Sequence, residues 1–165
     1  MNIVSVDLGT TNSKAAVYNR SLQTLQIFSK AVSYDRKGDF VEFDAEAYFM
    51  DILALIQDAA AAGKKTNGED TVQIVFTGQA ESLVLLKENG QPAAPVISWL
   101  DMRSSEECEE LKQHFSHELC YQTTGQPELI PTWPVTKILW LKRHRPDLFK
   151  STARFLLLKD YLVYR

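Results

Sequence analysis

The chain has 165 residues, 45% hydrophobic and 24% charged, with a formal net charge of −3. That composition suits a globular domain with a core of its own, and it offers no basic footprint for a nucleic-acid backbone. No apolar run approaches the roughly 20 residues that span a bilayer, no basic-then-apolar leader opens the chain, and Cys108 and Cys120 make neither a C-x-x-C pair nor a disulfide framework. A cytoplasmic protein with reduced thiols and no nucleic-acid or membrane partner is expected.

Three strand-like segments come first, at residues 3–6, 14–18 and roughly 24–32, and the short turns between them predict antiparallel pairing. Asp44 stands at a helix N-cap. Tyr48, Phe49, Ile52, Leu55, Ile56 and Ala59 then recur at helical spacing over residues 45–62, with Gly63 as the stop. Residues 66–70 read as a loop and 72–77 as a buried strand. Residues 82–87 form a further strand closed by a turn at Glu88-Asn89-Gly90, and Pro92 and Pro95 lead into Val96-Ile97-Ser98-Trp99. Ser104 and Glu107 have the spacing of a capping box, with Cys108, Leu111 and Phe115 on one face of the helix that follows. Pro134 opens a last clear helix, which Pro146 ends. The order βββαβ, with more strands and helices after it, predicts a layered α/β domain. Residues 156–165 are still apolar and patterned up to Arg165, without a Gly or Asn stop, so the sequence reads as a piece of a longer protein.

The turn between the first two strands is Asp7-Leu8-Gly9-Thr10-Thr11-Asn12-Ser13-Lys14. It holds a carboxylate at a strand end beside a glycine, three hydroxyls and a lysine. Gly9 lets the backbone approach phosphate oxygens, Thr10, Thr11 and Ser13 offer donors, and Lys14 offers charge. Asp7 could orient Mg²⁺ through water, because that ion gives up its hydration shell reluctantly. A hairpin whose polar turn merely faces water would show the same residues.

This turn resembles the first phosphate motif of the actin-like ATPase superfamily, which includes sugar kinases and heat-shock chaperones. Two later stretches select the kinases. Phe76-Thr77-Gly78-Gln79-Ala80-Glu81-Ser82-Leu83-Val84-Leu85-Leu86 and Pro95-Val96-Ile97-Ser98-Trp99-Leu100-Asp101-Met102-Arg103-Ser104 are similar to the segments of FGGY carbohydrate kinases that reach the sugar. Thr124-Gly125, residues 136–142 and residues 158–165 fit the same family in the same order.

The resemblance implies an RNase H-like (actin-like ATPase) α/β domain with three antiparallel N-terminal strands, a mixed sheet and flanking helices. Residues 1–165 would be its N-terminal FGGY domain, truncated, with the C-terminal ATP-binding domain absent. ATP and Mg²⁺ are the implied cofactors and a small sugar or polyol the implied partner; a homodimer of the intact protein is also compatible. The phosphate set would be Gly9, Thr10, Thr11, Asn12, Ser13 and Lys14, with Asp7 toward the metal. The sugar set would be Gln79, Ala80, Glu81, Trp99, Asp101, Arg103 and Thr132.

Departures from the pattern leave the sugar open. Ala80-Glu81 replaces the Met-His of xylulose kinases and the Arg-Glu of glycerol kinases, Thr132 replaces the latter's tyrosine, and Lys14 replaces their arginine. Trp99 could instead be core, Glu81 a strand-end charge, and Asp101 with Arg103 a structural ion pair. The family's catalytic aspartate has no match in residues 1–165 and is expected C-terminal to Arg165. No catalytic residue is therefore assigned, and the chain alone is expected to lack kinase turnover. A chaperone-type ATPase and a non-catalytic sugar- or nucleotide-sensing module are the alternatives.

Three other signals carry less. Gly63-Lys64-Lys65-Thr66 resembles the end of a P-loop but lacks the earlier glycine and the preceding strand. Cys108, His114, His117 and Cys120 lack zinc spacing and read as a solvated helix face. Lys142-Arg143-His144-Arg145 reads as the basic end of a helix.

Overall fold

The computed structural model describes residues 1–165. In chain order the first elements are β1 (Asn2–Leu8), β2 (Asn12–Tyr18), β3 (Thr24–Ala31), β4 (Asp35–Lys37), β5 (Phe40–Phe43), α1 (Ala45–Asn67) and β6 (Val72–Gly78). The rest are β7 (Leu83–Leu86), β8 (Val96–Ile97), α2 (Ser105–His114), α3 (His117–Thr124), α4 (Pro134–His144), α5 (Pro146–Ser151), β9 (Arg154–Leu157) and α6 (Leu158–Tyr164). The chain divides into two compact units. One comprises residues 1–33, 44–80 and 162–165, the other residues 34–43 and 81–161.

The first unit is built on a mixed sheet of order β3-β2-β1-β6. The first three strands pair antiparallel, as their short turns require, and β6 lies parallel to β1. Val4, Val6 and Leu8 on β1 and Ala15 and Val17 on β2 are fully buried, while the residues between them are not. This period of two puts Asp7 and Lys14, which are register partners, on the opposite face from that core row. The helix α1 closes the core with Tyr48, Ile52, Leu55 and Ala59. Its N-terminus is fixed by Asp44, whose Oδ1 accepts from Ala47 N at 2.7 Å.

Two expectations fail in this unit. Gly63 does not stop α1; the helix runs on to Asn67 and ends at Gly68, which adopts the left-handed conformation at φ 75°. Gly63 is there for space, since a Cβ on it would sit 2.6 Å from Asn2 Nδ2 and 2.9 Å from Val17 Cγ2. The stretch Gly63-Lys64-Lys65-Thr66 is therefore helix interior, which removes any P-loop. Strand β6 is also not buried: it is an edge strand, and Ile74 and Val75 are 45% and 47% exposed.

The second unit carries an antiparallel sheet of order β4-β5-β8-β7-β9. All four residues of β7 are buried. Leu83, Leu85, Ile97 and Leu141 form its core, with Ile138, Trp140, Leu148, Phe149 and Phe155 packed against them. Each such large apolar side chain contributes about 1.5–3 kcal/mol when fully buried. Helix α4 starts with Pro134 in its first turn and ends at His144, with Arg145 as its C-cap just before Pro146, as expected, and Pro146 opens the short α5.

Here too the sequence misleads locally. Ser104 does precede α2, but it makes no capping bond; its Oγ lies 2.8 Å from Thr136 Oγ1 and donates to Pro131 O. Glu107 is buried and faces His144 Nε2 at 3.0 Å, so the capping box is diverted into bonds with α4 and the loop before it. The single charge-rich helix expected over Cys108–His117 is two helices. Ser116 caps the second through Leu119 N, and Phe115 is a half-exposed C-cap residue of the first instead of part of its buried face.

Candidate functional site

The β1–β2 turn is shaped by glycines. A Cβ on Gly9 would fall 2.3 Å from Asn12 O, so the turn closes only without a side chain there. Where β6 ends, Gly78 adopts φ 122° and a Cβ on it would lie 2.4 Å from Leu8 N. Gln79 N then donates to Leu8 O at 2.9 Å. Both close backbone approaches lie beside Asp7, which stands in the same row as Lys14 and Thr77. Neither Asp7 nor Lys14 is spent on an ion pair. A half-exposed carboxylate at a strand end beside a glycine turn fits a hydrated Mg²⁺. Thr10, Thr11 and Asn12 line the turn.

Ser13 departs from the expectation. Its hydroxyl is buried on the α1 side and lies 3.0 Å from Tyr48 OH. The period-two alternation that exposes Lys14 is what turns Ser13 inward. It braces the strand under the helix and does not present a donor to the turn.

The second unit gathers Glu81, Trp99, Asp101, Arg103 and Thr132; Gln79 and Ala80 belong to the first. Thr132 Oγ1 donates to Glu81 Oε2 at 3.1 Å, across 51 positions of sequence. Glu81 has φ 65°, a left-handed conformation that carries strain for a residue with a Cβ. Trp99 is half-buried and its N donates to Ser82 Oγ at 3.1 Å.

Asp101 and Arg103 form a buried ion pair. Asp101 is fully buried, and Oδ1 accepts from Arg103 N and Nε while Oδ2 accepts from Val41 N and Arg103 Nη2. Those four bonds fill its acceptor capacity. Arg103 also reaches Glu42 at 2.6 Å and lies over the rings of Phe40 at 4.2 Å and Trp140 at 5.0 Å. Burial opposes its charge, but the bonds it donates to Asp101 and Glu42 outweigh it and hold the guanidinium pKa above its ordinary value. Of the two readings open in the sequence, the geometry favours the structural one: the pair holds its segment, and Asp101 has nothing left for a ligand.

Lys137 completes this cluster. It is fully buried on α4, and its Nζ donates to Ser98 O at 2.9 Å and Thr132 O at 2.7 Å. Burial pulls its pKa down to about 8, against Asp101 and Glu81, which favour the charge. Arg103 adds to the lowering.

Arg165, beyond which the catalytic aspartate is expected, is not itself part of either set. Its guanidinium pairs with Glu46 in the first turn of α1 and lies over the Phe49 ring at 4.4 Å. These contacts tie the residue after α6 to α1, a structural role that leaves Arg165 outside both the phosphate turn and the sugar set.

The family model for the N-terminal domain of the FGGY family of carbohydrate kinases matches residues 2–165. The chain belongs to this family. A xylulose kinase of Staphylococcus xylosus is 31% identical over 99% of the chain and 33% of its own length. A gluconokinase of Bacillus subtilis is 24% identical over 97% of the chain and 31% of its own length. Among solved structures, the xyloylose kinase of Brucella ovis superposes with a TM-score of 0.87 at 26% identity, over 99% of this chain and 33% of that one. The actin-like α/β fold expected from the sequence is thus present, and the chain spans about a third of the length of the relatives it matches.

For an FGGY domain, the sequence reading missed Lys137, Glu42, Phe40 and Trp140. Lys137 had a signal: it stands four residues before Leu141, on the buried side of α4. Glu42 and Phe40 had none, because they reach Arg103 from a hairpin whose β4 strand is exposed throughout.

Proposed function

We propose that this chain is the part of an ATP-dependent carbohydrate kinase that holds the sugar or polyol and one side of the nucleotide phosphates. The observation that carries the reading is the Glu81–Thr132 pair, a carboxylate and a hydroxyl brought together from distant sequence with Glu81 in a strained conformation. A carboxylate can accept from two neighbouring hydroxyls, as polyol recognition requires. Trp99 offers an apolar ring for the carbon side of the substrate. Asp101, Arg103 and Glu42 keep the Trp99 segment rigid. Gln79 and Ala80 are proposed as substrate-binding residues by family pattern alone.

In the phosphate turn, Gly9, Thr10, Thr11, Asn12 and Lys14 would surround phosphate oxygens, with Ser13 supporting them from beneath. Asp7 would hold Mg²⁺ through water, and the bound ion would offset charge on the transferring phosphoryl group. By the family pattern, the base that takes the hydroxyl proton would lie C-terminal to Arg165; within residues 1–165, Asp101 is saturated by Val41 and Arg103. The proposed acceptors are ketopentoses, aldonates and polyols.

The test is a phosphorylation screen across those three classes with the protein that carries this chain. ADP formation that depends on one class supports the reading. ATP hydrolysis indifferent to every sugar would contradict it.

A further inference from the structure

Lys137 is an expensive residue where it stands. A buried ammonium facing two neutral carbonyls is poorly compensated for its lost hydration. The two carbonyls are informative. Ser98 immediately precedes Trp99, and Thr132 is the partner of Glu81. The charged groups acting on the ammonium are Asp101 and Arg103 from the segment before α2 and Glu81 from the segment before β7. Neither carboxylate bonds to it, since Asp101 is filled by Val41 and Arg103 and Glu81 accepts from Thr132.

We propose that Lys137 is a positioning residue for sugar binding, its ammonium tying residues 98–103 to residues 131–133 and so fixing Trp99 and Thr132 relative to Glu81. The proposal rests on the sugar-kinase reading above. Two backbone carbonyls converging on one point repel each other without a shared donor, so loss of the ammonium lets the two segments part. A charged donor holds them more tightly than a neutral amine. The clamp therefore weakens as pH rises through about 8, where Lys137 loses its proton.

Two measurements test it. In the protein that carries this chain, Lys137→Met should raise the sugar KM about tenfold or more, with kcat and the ATP KM changed less than about twofold. The wild-type sugar KM should also climb as pH passes about 8, and the variant should lack that rise. A sugar KM within about twofold of wild type in a folded Lys137→Met would overturn the proposal.

The second measurement needs no turnover and no variant. In the wild-type protein that carries this chain, the backbone amide signals of Trp99 and Trp133, which share their peptide units with the bonded Ser98 and Thr132 carbonyls, should titrate together with a midpoint near pH 8. Titration of one of the two amides without the other overturns the clamp. Absence of any sugar-dependent turnover in wild type would instead count against the kinase reading, with the amide titration still deciding the clamp.

Discussion

Glu81 shows best how strain can sit at one residue of a proposed site. Its left-handed backbone is a conformation in which a Cβ is disfavoured by about 1–2 kcal/mol. Glu81→Ala and Glu81→Gly both lose the Thr132 bond, but only glycine relieves the strain. The glycine variant should be more stable than the alanine variant by about 1 kcal/mol in urea denaturation, while both bind sugar more weakly. Equal stabilities would show that the site stores no strain.

Arg103 tests the buried ion pair. Arg103→Met leaves Asp101 buried with only its two bonds to backbone N–H groups, and it should destabilise the protein by about 3–5 kcal/mol. A surface pair such as Lys112 with Glu109 should contribute under about 1 kcal/mol when removed.

Lys137 has a pH signature of its own. Its folded pKa, about 8, lies below the ordinary 10.5, so between those values the unfolded chain binds more protons than the folded one. Stability from this group therefore rises with pH across that window. Below it, the folded state carries the full penalty of the buried charge, on the order of 3 kcal/mol. The unfolding free energy of wild type relative to Lys137→Met should accordingly increase from pH 8 to 10.5. A flat difference would mean that Lys137 stays charged when folded.

At the scale of elements, the sequence was readable where local chemistry and tertiary structure agree. The three opening strands alternate cleanly, and Asp44 caps α1 as its position suggests. It misled where a distant partner took over a local signal. Ser104 and Glu107 have capping-box spacing, yet Thr136, Pro131 and His144 claim them across α2 and α4. Gly63 looks like a helix stop but serves close approach to Asn2 and Val17. Gly63→Ala tests this: as a helix terminator it would tolerate alanine poorly only for its backbone, whereas in a tight helix interior the added methyl should cost about 1–3 kcal/mol despite better helix propensity. Stabilisation in thermal melts would contradict the packing seen here. The β4–β5 hairpin escaped notice because Asp35, Arg36 and Lys37 are all exposed and show no alternation.

The basic end of α4 illustrates the same lesson. Lys142, Arg143 and His144 do occupy its last turn, where positive charge suits the helix dipole. Arg143 also forks onto Glu110 with two bonds of 2.6 Å, and His144 stacks on Trp140 while meeting Glu107. The cluster joins α4 to α2, a role that composition alone does not reveal.

At the scale of the whole molecule, the phosphate turn and the Glu81–Thr132 set belong to different compact units of one FGGY domain. Motif order pointed to both proposed sets, because the turn and the Trp99–Arg103 stretch are local in sequence. What it could not expose was which candidates are ligands. Asp101 is spent on Val41 and Arg103, Ser13 on Tyr48, and Lys137 emerges only from tertiary contacts.

The central claim is that Glu81 meets the sugar. Steady-state kinetics of Glu81→Ala in the protein that carries this chain test it most directly. The expected result is a sugar KM raised about tenfold or more with the ATP KM unchanged. A sugar KM and kcat equal to wild type would remove Glu81 from the site and contradict the account.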